Sequence, residues 1–342
     1  NLSWTGSDDS GIGGTDMQLC VENKGKIWEI SEMCTEISWK DELNNGCSVL
    51  EFSYLFDNDL QLENGDVVRL SNTSEKDGIF FGKIFKVGMD ETHKVTIKAY
   101  DQLRYGKAKD IITIKAGQDS IVTLAQAMCR YLNLTAGNMA PVSYMAPLDK
   151  VKYQDTWLDV IYGMIADTLL YTGGNGTVGE WYRLADVYGK VQIDNLRDLQ
   201  LPLVIGDESL ATGYSWERSI DEDFYTIVKL SWMDEAGGKA QTVQSVNQES
   251  VNRYGNLLYY EHMLEKQSDV GKLQQKSQKL LQLYNQEKET IKISCLGDHS
   301  VRAGCSIYGS IADIALNRRV ICKTVTHKYL PVHTMELEVI AR

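Results

Sequence analysis

The stretch from Gly65 to Tyr100 constrains the fold more than any other part of the sequence. An Asn-Gly turn signal opens it, and three short runs follow at Asp66–Leu70, Ile79–Val87 and Val95–Tyr100. In the last run apolar and polar residues alternate strictly, which is the period of a half-buried strand. Turn-forming and charged residues separate the runs, so the stretch is predicted to fold as an antiparallel meander.

The C-terminal part of the chain repeats this pattern. Gly304–Gly309 takes the place of Gly65–Leu70, and Val320–Ala341 aligns with Phe80–Asp101 without a gap. The alignment places four residues of the second copy on four of the first: Lys323 on Lys83, His333 on His93, Leu337 on Ile97 and Val339 on Ala99. Identity is low, so the pattern indicates one β module that occurs twice. A chance pair of hairpins in an all-β region stays open as the alternative.

The remaining segments are arranged around these two copies. Short alternating runs before Gly65 have the strand density of a small barrel or sandwich, whereas the middle of the chain has helical periodicity. We therefore predict a mainly β, α+β fold class with two similar small antiparallel β-barrels, an α+β domain between them and a helical insertion in the second barrel region. The predicted boundaries are a flexible arm at 1–16, the first barrel at 17–110, the α+β domain at 111–205, the second barrel at 206–245 and 288–342, and the helical insertion at 246–287.

Helix signals are local and specific. Asp119 can cap a helix from Ser120 to about Leu132, and a second helix should begin near Asp155-Thr156 and end at Gly173. A hairpin turning at Tyr188-Gly189-Lys190 should follow. A third helix is predicted from Asp269 to about Glu287, with an apolar stripe too short for a coiled coil.

The charge of the chain argues against sequence-independent nucleic-acid binding. The net charge is −12, and residues 1–110 carry 12 Lys/Arg against 20 Asp/Glu. A phosphate-binding surface would need a basic stripe. Carboxylates of the first module could instead line a passage and repel DNA or another cargo. That these acids face solvent or partner proteins is the alternative.

The expected compartment follows from what the sequence lacks. It opens without a signal peptide, and its most apolar helix candidate, Trp157–Tyr171, is interrupted by Asp159, Gly163 and Asp167. A soluble protein made in the cytosol, without membrane insertion, is therefore expected. The seven cysteines are odd in number and scattered, and they are expected to be free thiols.

No set of residues in the sequence predicts catalysis, a cofactor or a metal. Gly174–Gly179 (GNGTVG) follows a predicted helix and leads into a strand, the reverse of a nucleotide-binding arrangement, so a loop is expected. Metal ligands could be imagined among Cys295, His299 and Cys305, or between His327 and His333, but paired short spacings are lacking. Cys129 lies on an apolar helix face and does not suit a nucleophile.

Four short motifs carry a resemblance that spans most of the chain. They are VTIKAYDQLRYGKAKD with its Tyr100-Asp101 pair, RYGNLLYYEHM (Arg253–Met263), ISCLGDHSVRAG (Ile293–Gly304) and the terminal THKYLPVHTMELEV. In this order they resemble baseplate hub proteins of contractile phage tails, and more closely the PBSX-type prophage family of XkdQ/YqbQ-like hubs. Each motif is short and degenerate, so their order carries the resemblance.

The resemblance implies a structural role. Three copies with two tube-like barrels each would give a ring of six pseudo-equivalent barrels, which joins a hexameric tail tube to a trimeric spike. The implied partners are the tail tube protein, the central spike protein, other baseplate proteins and the tape-measure protein, in a virion tail or a tail-like bacteriocin assembled in the host cytoplasm. His93 and His333 would then mark equivalent scaffold positions rather than chemistry.

Two other classes of function stay open on the sequence alone. A peptidoglycan-degrading tail enzyme predicts turnover of cell-wall muropeptides. A carbohydrate- or receptor-binding tail module predicts exposed aromatic clusters on loops, whereas most of the tryptophans fall in predicted strands or helix faces.

Overall fold

The computed structural model describes residues 17–73, 77–173, 179–233, 240–263 and 270–340. The predicted arm at 1–16, residues 174–178 of the glycine-rich segment and the predicted helix start at Asp269 lie outside these ranges. Strands dominate the described chain and helices are few, which confirms the mainly β class. No helix in these ranges has the length and apolar character needed to cross a bilayer.

The N-terminal part is an antiparallel sheet. Its strands are β1 (Met17–Asn23), β2 (Lys26–Glu29), β3 (Cys34–Glu42), β4 (Val49–Leu55), β5 (Val67–Asn72), β6 (Asp77–Met89) and β7 (Lys94–Tyr100). They are hydrogen-bonded in the order β3-β4-β7-β6-β5-β1-β2. Val95, Ile97 and Ala99 of β7 are buried, as the alternating pattern predicts.

A region with two helices follows. It contains β8 (Lys109–Ile114), α1 (Ile121–Tyr131), β9 (Ala136–Met139), β10 (Lys150–Thr156), α2 (Trp157–Thr172), β11 (Tyr182–Asp186) and β12 (Val191–Asn195). The second predicted helix is confirmed, because Thr156 caps α2 and Gly173 ends it. The first begins one residue later than predicted. Ser120 is its cap, and the Asp119 carboxylate accepts a hydrogen bond from the Thr123 hydroxyl instead.

The next segment corrects part of the predicted second barrel. After β13 (Gln200–Gly206) and β14 (Ala211–Ser219) come β15 (Ile227–Met233), β16 (Ala240–Val246), α3 (Gln248–Tyr254), β17 (Leu258–Met263) and α4 (Val270–Tyr284). The prediction placed residues 206–245 in the second barrel, but β15 and β16 pair with β17 in a separate three-stranded sheet. Leu273 and Leu280 of α4 pack on this sheet, so strands and helices here share one small core.

The last four strands form the C-terminal part of the sheet and pair it with the N-terminal part. They are β18 (Lys288–Leu296), β19 (Ser306–Ile311), β20 (Leu316–Lys328) and β21 (Thr334–Ile340). The strand order is β14-β18-β21-β20-β19, and β13 pairs with β19 in parallel. The predicted domain boundary at residue 205 had placed most of β13 in the α+β domain instead. The end of β20 pairs with β3, so both halves form one sheet. Within the described ranges no strand pair joins β2 to β14 at the two ends of this order.

Candidate functional site

The repeat predicted from the sequence extends to individual backbone hydrogen bonds. Gly65 and Gly304 both have positive φ, +98° and +89°, a conformation that favours glycine. The Gly65 amide donates to the Ile84 carbonyl at 2.8 Å, and the Gly304 amide donates to the Cys322 carbonyl at 2.8 Å. The strands β5-β6-β7 and β19-β20-β21 are therefore two copies of one arrangement.

Strand pairing also corrects the alignment of the repeat. Ile97 lies opposite Val87 and Leu337 lies opposite Val325, so the predicted match on β7 and β21 holds. On β6 and β20 the copies are offset by two residues, and Lys323 matches the bulged Phe85 rather than Lys83. From Val325 to its partner Leu337 the second hairpin is two residues longer than from Val87 to Ile97, which keeps every side chain on its face of the sheet.

The equivalence of the two histidines is confirmed. The His93 carbonyl accepts a hydrogen bond from the Phe56 amide at 2.8 Å, and the His333 carbonyl accepts one from the Gly297 amide at 2.9 Å. Each histidine directly precedes the last strand of its copy.

Two further strands belong to the repeat. Strands β3 and β4 pair with a bulge at Thr35, and β14 and β18 pair with a bulge at Thr212. The Thr35 hydroxyl donates to the Ser53 carbonyl at 3.3 Å, and the Thr212 hydroxyl donates to the Ser294 carbonyl at 3.0 Å. We call β3-β7 the first β unit and β14 with β18-β21 the second β unit. The segment between β14 and β18 is an insertion at the place of the short β3–β4 loop.

The two β units meet at a junction that we define as the β3·β20 ladder with Asp41, Trp39, His327 and Arg302. Trp39 lies opposite His327, the rings stack with centroids 5.3 Å apart, and both residues are fully buried. Arg302 lies over the Trp39 ring at 5.0 Å, and its Nε donates to the Asp41 carboxylate at 3.3 Å. The junction is thus a packed, ion-paired contact between units far apart in sequence.

The region with two helices packs against the same junction. Asn44, in the β3–β4 loop, donates from its amide to the Tyr182 carbonyl at 2.9 Å and accepts from the Leu184 amide at 3.0 Å. Arg183 pairs with Asp194 at 2.8 Å and donates to the Ala303 carbonyl. This region therefore holds both β units at once.

The Asp101 of the Tyr100-Asp101 motif is part of this buried polar cluster. Its carboxylate accepts hydrogen bonds from the Ser48 amide at 2.8 Å and the Leu103 amide at 2.9 Å, and caps the short helix Gln102–Lys107. Burial, and then the nearby Asp186 carboxylate, raises the pKa of Asp101 well above its ordinary value. Burial likewise raises the pKa of Asp186. Their hydrogen-bond partners are backbone and side-chain groups of the fold, so these acids have a structural role here.

Known proteins share the sequence pattern of this chain. A family model described as YqbQ-like matches residues 37–340. The chain belongs to the YqbQ-like family. It is 24% identical over 267 residues to the uncharacterized protein YqbQ and 23% identical over 267 residues to the phage-like element PBSX protein XkdQ, both of Bacillus subtilis. Each match covers 77% of this chain and 78% of the relative. The resemblance predicted from the four motifs is therefore confirmed.

The fold of this YqbQ-like chain is shared with a solved tail protein. The 43 kDa tail protein of prophage MuSo2 from Shewanella oneidensis superposes with a TM-score of 0.68, at 8% identity, over 94% of this chain and 98% of the tail protein. At that identity the likeness concerns the fold.

The candidate metal ligands lie in the second β unit, where the three histidines are close together: the His299 ring stacks on the His333 ring with centroids 4.4 Å apart. Cys295 and Cys305 are buried thiols, and burial raises the pKa of Cys295 to about 12. His327 donates from Nε2 to the Val301 carbonyl at 2.8 Å, so its Nδ1 accepts from His333 Nε2 at 2.9 Å. Burial lowers the pKa of His327 to about 4 and that of His333 to about 3. Among the described residues no group of three His, Cys, Asp or Glu is placed to hold a metal ion.

The other candidates from the sequence have structural surroundings. Cys129 is buried on α1, and all seven cysteines are free thiols. Of the glycine-rich segment only Gly179 is described. The sequence did not point to Asp41, Asn44, Arg183 and Arg302, because nothing in their local sequence marks contacts between distant segments. The repeat itself was the available signal, since it implies a seam between its copies.

Proposed function

We propose that this YqbQ-like protein is the structural hub of a contractile-tail baseplate and works as a homotrimer. The observation that carries the proposal is the second β unit, which repeats the strands, bulges and turn hydrogen bonds of the first within one chain. Three such chains present six near-equivalent units, each closing as a small β-barrel in the assembled ring. Head-to-tail contacts that close give this symmetry, whereas isologous pairing does not.

The proposed partners follow from the symmetry of such a ring. A sixfold face fits the tail tube protein, and a threefold face fits the central spike protein. Other baseplate proteins and the tape-measure protein complete the surroundings, in the tail of a virion or a tail-like bacteriocin assembled in the host cytoplasm. The name of XkdQ, a protein of a phage-like element, and the fold shared with the MuSo2 tail protein support this placement.

The role requires no catalysis. The proposal therefore predicts no release of fragments from purified muropeptides, and turnover by the pure chain would favour the peptidoglycan-degrading alternative. Specific binding of purified cell-wall carbohydrate would favour the receptor-binding alternative.

The oligomeric state tests the proposal. Light scattering should give the mass of three chains for the protein alone, or the mass of three chains plus the trimeric spike when the spike protein of the same particle is present. A hub that stays a single chain with both the spike and the tube protein would contradict the proposal. A ring of another stoichiometry would contradict the trimer.

A further inference from the structure

Within the two β units, two strand edges have no strand partner among the described residues. One is the outer edge of β14, whose other edge pairs with β18. The other is the segment Lys86–Met89 of β6, which pairs with β7 on one side and extends past β5 on the other. In the second β unit the equivalent of that segment is Thr324–His327, which pairs with β3. The equivalent of β3 is β14, so the chain contains one junction and the two halves of another.

The side chains at the open edges are those that a second junction would cover. Trp216 matches Trp39 and is 43% exposed, whereas Trp39 is fully buried. Met89 matches His327 and is 59% exposed, and Val87 matches the fully buried Val325 and is 38% exposed. These residues lie on the core-facing side of their strands, opposite buried positions of the neighbouring strand. Large apolar side chains at an open edge mark an association surface.

We propose that β14 of one subunit pairs with β6 of the next, in the register of the β3·β20 ladder. The occupant of each edge is thus a second copy of this chain. Transferring the observed pairs places Trp216 opposite Met89, Glu217 opposite Gly88 and Arg218 opposite Val87. The pairing is antiparallel, as in the junction within the chain, and a slip of one residue would turn the apolar side chains outward.

The charges at the two edges are complementary in the same geometry. Within the chain, Arg302 pairs with Asp41. The equivalent of Asp41 is Arg218. The equivalent of Arg302 is Glu63, because both carbonyls accept the same turn hydrogen bond. The Asp66 amide donates to the Glu63 carbonyl, and the Cys305 amide donates to the Arg302 carbonyl. The acidic and basic partners are exchanged between the copies. An Arg218–Glu63 ion pair across the subunit contact would replace the Asp41–Arg302 pair of the junction.

Such contacts are heterologous and propagate in one direction around a ring. Each chain offers β14 at one end and β6 at the other. The β3·β20 junction within a chain and the β14·β6 contact between chains therefore alternate, and first and second β units alternate around the ring. The inference rests on the proposed function for the number of subunits that close the ring. The strand pairing and its register come from the repeat within this chain.

Cysteine cross-linking tests the register. Glu217 is exposed and a Cβ on Gly88 would meet no atom closer than 4.0 Å, so Gly88→Cys with Glu217→Cys should leave the fold intact. In the complex with the spike protein, mild oxidation should link the chains covalently into a closed ring on a non-reducing gel. The control pair Gly88→Cys with Ser215→Cys represents a slip of two residues and should link at least roughly tenfold more slowly, since its cysteines lie diagonally. The parent protein controls for the seven native thiols.

A charge exchange provides the second measurement. Arg218→Glu and Glu63→Arg should each weaken chain–chain association roughly tenfold, and the double variant should restore it to within about threefold. The existing ion pairs of these side chains, Glu63 with Lys24 and Arg218 with Glu287, are partly exposed and contribute little. Arg218 also lies over the Trp216 ring at 5.3 Å, a contact that Arg218→Glu removes in the single chain as well.

The outcomes separate this inference from the proposed function. A trimer that links equally well at the control pair, or whose double variant stays weak, overturns the strand pairing and leaves the hub intact. Selective linking in a ring of another size supports the strand pairing and overturns the homotrimer. Absence of any cross-link under all conditions overturns the strand pairing.

Discussion

Trp39 and Trp216 form a matched pair for a quantitative prediction. They occupy equivalent positions of the repeat, but Trp39 lies in the closed junction and Trp216 lies at the open edge of β14. Replacing each by alanine removes the same atoms from the same strand position. The difference between the two variants therefore reports the junction, less the contacts that Trp216 makes within its own unit.

The expected magnitudes follow from burial. Trp39 is fully buried between His327 and Arg302, so Trp39→Ala should cost about 4 kcal/mol, as large-to-small changes in a core do. Trp216 keeps 43% of its surface exposed, and its Nε1 donates to the Glu289 carboxylate at 2.7 Å. About half of the burial is then at stake, and Trp216→Ala should cost about 1–2 kcal/mol in the single chain.

Native-state hydrogen exchange on the strands concerned is the suitable assay, because a chain with several cores need not unfold in one step. At concentrations where light scattering gives the mass of one chain, Trp39→Ala should speed exchange of β3 and β20 by several hundredfold. The same change at Trp216 should speed exchange of β14 and β18 by only about tenfold. Association with the spike present should be lost in Trp216→Ala. Equal effects of the two variants in the single chain would refute the assignment of β14 as an open edge.

Three further predictions concern the turns, the loop contact and the histidines. In urea unfolding, Gly304→Ala should destabilise the second β unit by about 2–3 kcal/mol, because φ is positive there and the new Cβ would lie 2.8 Å from Arg183 Cδ. Gly65→Ala is likewise at positive φ but meets open space, so it should cost only about 1 kcal/mol. Equal costs at the two glycines would contradict the role of Arg183. Asn44→Ala leaves two backbone groups of β11 without their partner and should cost about 2 kcal/mol in thermal unfolding, against less than about 0.5 kcal/mol for the exposed neighbour Asn45→Ala. A destabilisation by Asn44→Ala no larger than that by Asn45→Ala would contradict the stabilising role of the Asn44 hydrogen bonds. Because the folded pKa of His327 is lowered to about 4, this group's stabilisation is present above its unfolded pKa of about 6.5 and is lost as the pH falls toward 4. The free energy of unfolding should therefore drop by about 2 kcal/mol more between pH 7 and pH 5 in the parent than in His327→Gln, and identical pH slopes would contradict the burial of a neutral imidazole. The raised pKa values of Asp101 and Asp186 act in the opposite sense and remain in both proteins, so they cancel in this difference.

Local sequence signals predicted the local structure well. The cap at Thr156, the end of α2 at Gly173 and the turn near Gly189 depend on residues a few positions apart, and the structure has all of them. The two positive-φ glycines of the repeat were likewise readable as turn openers. The cap of α1 moved by one residue because Ser120 and Asp119 are both good caps, and only the reciprocal bond with Thr123 decides between them.

The pairing between strands far apart in the chain could not be predicted from the sequence. Strands β15 and β16 alternate like those of the second β unit, and nothing in their side chains says that they pair with β17 instead. The ion pair between Asp41 and Arg302 joins residues 261 positions apart, so no spacing rule finds it. The gapless alignment misplaced Lys323 by two residues for a related reason, since hairpin length and bulges are set by pairing rather than by the periodic pattern.

The number of chains in the hub–spike complex tests the central claim most directly. Native mass spectrometry of the complex purified from particles, or rebuilt from the two proteins, should give three copies of this chain for one trimeric spike. Six copies, or a single copy bound to the spike, would contradict the view that two β units per chain convert threefold into sixfold symmetry.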